Sequence, residues 1–302
     1  MKVSSRKTLV TSQLLVLVLF YLLNHPFGDL KAADPYQPIK VMSFNIRYGA
    51  ANDGANSWSH RDYLVLETVE LAQPDLLGCQ EVLKFQADFL KKHLSDYGFH
   101  GVGRDDGGEK GEFVPLMWRK DRFEMIDAGH FWLSQTPEVP GSVSWDSSLT
   151  RMLSWVLLRD NRSGGKEFVF ANTHFDHRGE EARLESAKLI RRRAESILNE
   201  YPVILTGDFN TTEEGDPYAA LCQGGNSGSQ KLIDAYRVIH PEPQEDEASF
   251  SRWTGHREGK RIDWIIHSDQ FNTLHALINY TQENGRYPSD HYPVEATLRL
   301  RQ

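Results

Sequence analysis

Val203-Ile204-Leu205-Thr206-Gly207-Asp208-Phe209-Asn210 opens as an apolar, β-branched run of strand length and closes on a glycine and two polar side chains. The same change from buried strand to polar end recurs along the chain. Ile39 to Phe44 reads as a strand that stops at Asn45, Leu76 to Cys79 as a short one ahead of Glu81, and Phe168–Asn172 as one that runs out at His174. Asp263 and His291 stand instead at or before the start of the strands Ile262–His267 and Val294–Leu300. All six polar residues can meet on one edge only if the last two strands run antiparallel to the others. That requirement predicts mixed sheets with a polar rim.

Helical patterns fill some of the gaps. Arg61 to Ala72 reads as a helix stopped before Pro74, and Lys84 to Leu94 places Phe85, Phe89, Leu90 and Leu94 on one face. Glu180 to Leu198 is the longest helix, with Arg191-Arg192-Arg193 expected on its solvated side. Phe113–Trp118 and Phe123–Ile126 flank a charged turn, and Met152–Leu158 is expected to pair with Phe168–Asn172. Many strands with few helices predict an α/β fold of two packed mixed β-sheets flanked by helices. At 302 residues, 39% of them hydrophobic and 25% charged, without repeat or linker, residues 34–302 read as one domain. Cys79 and Cys222 are the only cysteines, so no disulfide framework is expected, and Cys79 reads as a small buried hydrophobe.

Residues 1–33 are of another kind. Lys2, Arg6 and Lys7 precede the apolar run Leu9 to Leu23, the pattern of a signal peptide or of a retained N-terminal anchor. Either reading exports the domain to the periplasm, the outer face of the membrane or the medium. The formal net charge is −8, and because residues 1–33 are net basic the remainder is more acidic still. Proteins that grip long nucleic acid without sequence preference usually show a basic surface, so nucleic acid is not the favoured partner.

The segments Ser43-Phe44-Asn45-Ile46-Arg47, Gln80-Glu81-Val82, Asn172-Thr173-His174, Gly207-Asp208-Phe209-Asn210, Arg261-Ile262-Asp263-Trp264 and Ser289-Asp290-His291, in that order, resemble the motifs of the endonuclease/exonuclease/phosphatase superfamily, and within it an exported bacterial branch. The resemblance runs from Ile39 to Leu300 and implies a four-layer α/β sandwich and hydrolysis of phosphate esters.

Such chemistry needs a hard cation, a positioned water and donors for the developing charge. Mg²⁺, with Mn²⁺ as its substitute, prefers oxygen ligands, for which Glu81 is the leading residue, with Asn45 beside it and Asp290 added by the resemblance. The resemblance also implies that Asp208 and Asn210 orient or deprotonate the attacking water, and that Asp263 holds His291 against the phosphate. Either Asp208 or the Asp263–His291 pair can be the base. His174 is similar to the family's second histidine, and Glu112 stands where the deoxyribonuclease branch places its carboxylate partner.

Arg47, where abasic-site endonucleases carry an acidic ligand, is expected to offer a positive fork to phosphate. Gly259-Lys260-Arg261-Ile262-Asp263 departs from the inositide 5-phosphatase signature. Arg151, Asp176 and His177 are expected to contact substrate beside His174, and Trp253 to wall a ring or sugar, although edge packing explains Trp253 equally well. The resulting expectation is a monomeric, metal-dependent phosphoesterase acting on a small or lipid-head-group phosphate. A secreted nuclease is the alternative, and a non-catalytic binding domain is disfavoured by the complete site set.

Overall fold

The computed structural model describes residues 36–198, 200–223 and 231–301. The basic and apolar segment read as a leader or anchor lies outside them. Among the described residues no helix is long and apolar enough to cross a membrane.

Among the described residues, twelve strands form two six-stranded sheets. The first contains β1 (Ile39–Asn45), β2 (Leu76–Gln80), β3 (Tyr97–His100), β4 (Leu116–Arg119), β11 (Phe271–Ile278) and β12 (Val294–Leu300), in the order β11-β12-β1-β2-β4-β3. The second contains β5 (Phe123–Trp132), β6 (Met152–Asp160), β7 (Lys166–His174), β8 (Val203–Asp208), β9 (Leu232–Asp234) and β10 (Asp263–Ser268), in the order β5-β6-β7-β8-β10-β9.

Side chains alternate across each strand, and both faces of the central strands are buried. Val41, Leu76, Ile204 and Ile265 point into the core between the sheets. Their neighbours Met42 and Leu77 meet Val65 and Val69 of helix α1 (Asp62–Ala72) and Ala87 and Leu90 of α2 (Lys84–His93). Leu205 and Ile266 meet Ala187, Ile190 and Ala194 of α3 (Glu180–Leu198). Helix, sheet, sheet and helix therefore stack as the expected four layers.

Register brings the strand ends level. β1 and β2 are parallel, with Asn45 opposite Gln80, and β7 and β8 are parallel, with His174 opposite Asp208. β12 runs antiparallel to β1, and β10 antiparallel to β8 with Asp263 opposite Asp208. The antiparallel placement of the last two strands is thus as expected.

Gly78 lets the sheets close beneath this rim. A Cβ there would lie 2.1 Å from Thr206 Oγ1 and 2.9 Å from the Asn172 amide. In that space Gln80 donates to Asn172 Oδ1 at 2.7 Å and Asn172 donates to the Cys79 carbonyl at 2.6 Å. The buried polar pairs fix one sheet against the other.

Several elements differ from expectation. Phe113–Trp118 is not one strand: Pro115 has no N–H, so the regular ladder starts at Leu116. The charged turn before Phe123 joins different sheets. Its Arg122 is buried and bonds Asp160 and Asp75. Phe85 of α2 is exposed and only edges Trp58. Arg191, expected in solvent, is buried against the Leu221 carbonyl and Glu195. β3 and β11 had no clear pattern, and a bulge between Thr273 and His275 interrupts the alternation of β11.

Candidate active site

The level strand ends line a cleft of about 840 Å³ between the two sheets. At its floor Asn45 donates to Glu81 Oε1 at 3.0 Å and to Asp208 Oδ2 at 2.9 Å. Glu81 Oε2 accepts from the Tyr48 amide at 2.7 Å. Arg47, Glu81 and Asn210 all have positive φ, at 60°, 62° and 49°. Non-glycine residues hold that conformation only where their surroundings enforce it, and here it turns three side chains into one cleft.

His291 Nδ1 lies 2.9 Å from Asp263 Oδ2, and Phe250 packs on its ring at 4.7 Å. Burial opposes a charge on His291, but Asp263 and Asp208 outweigh it and raise its pKa to about 10. Asp208 is pushed up to about 7 by burial and then by the like charge of Asp263. Its Oδ1 accepts from the Asn210 amide at 3.0 Å.

His174 faces Asp208 at 3.5 Å, and Asn210 donates to its Nε2 at 3.0 Å. The ring proton is therefore on Nδ1. Burial, followed by the charges of Arg151 and Arg104, holds His174 well below the ordinary histidine range, so it is neutral at neutral pH.

Some residues stand differently from expectation. Asn45 does not present its oxygen as a ligand, because Oδ1 accepts the Arg47 amide at 2.9 Å and the nitrogen faces the acids. Glu112 is 3.9 Å from His174 Nδ1, beyond hydrogen-bond reach, since Arg104 holds it at 2.7 Å. The fork of Arg47 is engaged by Asp53 through two bonds of 2.9 Å, with Asp290 at 3.7 Å. Asp176 is buried beneath Arg151 and does not line the cleft. It accepts from the Arg178 backbone amide at 3.0 Å. Trp253 is also absent from the cleft wall; it stacks on Arg61 at 5.1 Å. Arg151, His177 and Asp290 do line the cleft, as do Arg104 and Phe250, which the sequence did not single out.

Ligating atoms of Glu81, Asp208 and His291 lie within 4.8 Å of one another. Two carboxylates suit a small oxygen-preferring cation. His291, charged through Asp263, offers a proton and no lone pair. Glu81 is the acid common to the expected and the observed sets. Asp290 is close enough for the Glu81 charge to help burial raise its pKa.

Residues 42–291 match the sequence profile of the Endonuclease/Exonuclease/phosphatase family. The chain belongs to that family. Endonuclease/exonuclease/phosphatase members are metal-dependent hydrolases of phosphate esters. Nocturnin of Xenopus laevis is 26% identical, over 90% of this chain and 75% of its own length. An endonuclease/exonuclease/phosphatase family protein of Bacteroides thetaiotaomicron is 32% identical with a TM-score of 0.79, over 88% of this chain and 99% of that one. A mannosyl-6-phosphatase of Bacteroides thetaiotaomicron VPI-5482 is 32% identical with a TM-score of 0.76, over 86% and 99%. The chain spans about half the length of two further relatives, a Drosophila melanogaster nocturnin (47%) and the Ccr4 exoribonuclease subunit of Mycosarcoma maydis (52%).

Proposed function

We propose that the protein is an exported, monomeric, Mg²⁺-dependent phosphoesterase acting on a small or lipid-head-group phosphate ester. The observation that carries the reading is the group at the cleft floor: Glu81 and Asp208 brought beside His291, which Asp263 holds at 2.9 Å. Mn²⁺ is the expected substitute cation. Export rests on Lys2, Arg6 and Lys7 ahead of the apolar run Leu9 to Leu23.

Glu81 would hold the cation with Asp290 beside it, and the cation would supply charge stabilisation to the phosphoryl oxygens when bound. Asp208 accepts the proton of the attacking water, because a carboxylate with a pKa near the working pH is an effective base. Asn210, on the same side of the cleft with its backbone amide on Asp208 Oδ1, orients that water. His291 donates from Nε2 to the phosphate as negative charge develops, and Asp263 keeps the ring charged and in one orientation. His174, neutral and beside Asp208, completes the wall on the leaving-group side.

A nuclease is the alternative, supported by the names of the nocturnin and Ccr4 relatives. The mannosyl-6-phosphatase, matched along nearly its whole length at higher identity, favours a small phosphate. Turnover of p-nitrophenyl phosphate, bis-p-nitrophenyl phosphate and plasmid DNA, each with Mg²⁺ or EDTA, tests the choice. The small esters should be cleaved with metal alone and the plasmid left intact; rapid nicking with inert small esters would favour the nuclease.

A further inference from the structure

One wall of the cleft, beside His174, is a loop clamped at two points. Asp176 accepts from Ser148 Oγ at 2.9 Å, the Leu149 amide at 3.2 Å and the Gly179 amide at 2.8 Å. Asp146 reaches the first turn of α3 and accepts from the Ala182 amide at 2.7 Å. Arg151 leaves this loop only 4% exposed.

Each part of its guanidinium is distinct. Nε faces Asp176 at 3.4 Å, Nη2 lies 3.1 Å from His177 Nδ1, and Nη1 is buried with no hydrogen-bond partner among the described residues. Arginine only donates, so His177 Nδ1 accepts and the His177 proton is fixed on Nε2. Burial and then Arg151 lower the pKa of His177, which keeps the ring able to accept. His177 is exposed, and with Arg151 it lines the same cleft as His174, Asp208 and His291. After burial, the Arg151 charge is the largest influence lowering His174, so its positive field reaches the reacting centre.

A phosphodiester carries one negative charge on two free oxygens. A phosphomonoester carries nearly two on three, since its second pKa is about 6. We propose that Arg151 and His177 form a subsite that selects phosphomonoesters, the His177 Nε2–H and the guanidinium behind it receiving the extra charge of the dianion. The proposal rests on the phosphoesterase reading and names its substrate class.

The test compares kcat/KM for p-nitrophenyl phosphate and bis-p-nitrophenyl phosphate at pH 8 with Mg²⁺, using the full chain and the variants His177→Ala, His177→Gln and Arg151→Lys. The parent should prefer the monoester. His177→Ala and Arg151→Lys should each lose about ten- to a hundredfold more on the monoester than on the diester, the range of one charge-assisted hydrogen bond. His177→Gln, which keeps a donor, should recover part of the difference. Equal losses on both esters, or a parent that prefers the diester, would overturn the subsite. A parent inert toward both esters would instead count against the phosphoesterase reading. Calorimetric binding of inorganic phosphate and dimethyl phosphate then judges the subsite alone. A preference for inorganic phosphate that His177→Ala removes would support it, and equal binding of the two would overturn it.

Discussion

Asp208 and Asp263 are register partners on neighbouring antiparallel strands, a placement that sets two carboxylates side by side in a buried site. Like charges so placed repel, and His291 relieves them, bonding Asp263 at 2.9 Å and standing 3.7 Å from Asp208. In the proposed mechanism, removing either end of this arrangement takes away the base or the phosphate donor. Asp208→Ala and His291→Ala should each lower kcat by about 10²- to 10⁴-fold with far-ultraviolet circular dichroism unchanged; near-parental turnover in both would sink the assignment. Glu81→Ala should shift the Mg²⁺ titration to higher concentration, and an unmoved midpoint would remove Glu81 from the cation's ligands. The residues that meet in the cleft could be read because most of them sit in a short polar motif at a strand end. The partners of Arg47, Glu112 and Asn45 could not. Asp53, Arg104 and the Arg47 amide decide which atoms those side chains have left to offer, and such pairings arise only through space.

At the scale of elements, the central strands could be read because both faces are buried and the runs are continuously apolar. The edge strands β3 and β11 carry shorter or interrupted patterns and could not. Packing between the sheets depends on the missing side chain at Gly78. Gly78→Ala should cost about 1–3 kcal/mol in chemical denaturation, because Thr206 and Asn172 belong to both the strands and the polar layer and have little room to retreat. The loop that carries Arg151 has its own pH dependence. Burial opposes the Asp176 charge, but the amides of Gly179 and Arg178 and the Ser148 hydroxyl overcome it and hold its pKa far below the ordinary carboxylate value. A depressed folded-state pKa contributes stability above the unfolded value of about 3.9, and that contribution is lost as pH falls through and below it. Asp176→Asn should therefore be less stable than the parent at pH 7, with the gap closing below about pH 4. A constant gap in denaturation midpoints across that range would contradict the account.

Across the whole molecule, two sheets of matching design bring their strand ends to one cleft: β1, β2 and β12 supply Asn45, Glu81 and the approach to His291, and β7, β8 and β10 supply His174, Asp208 and Asp263. Neither sheet alone carries a working set, so the chemistry depends on how they pack. The antiparallel return of β10 and β12 followed from where the polar residues stood in the sequence, whereas the order of strands within each sheet is set by pairing through space. The clamp formed by Asp146 and Asp176 did not, since it joins two loops that no local pattern connects. The central claim is that this cleft hydrolyses phosphate esters with a divalent cation. Its most direct test is phosphate release from p-nitrophenyl phosphate by the purified protein, titrated with Mg²⁺ and then with EDTA, beside Asp208→Ala. The account predicts saturable turnover with Mg²⁺ that EDTA abolishes and the variant lacks. Turnover indifferent to both EDTA and Asp208→Ala would contradict it.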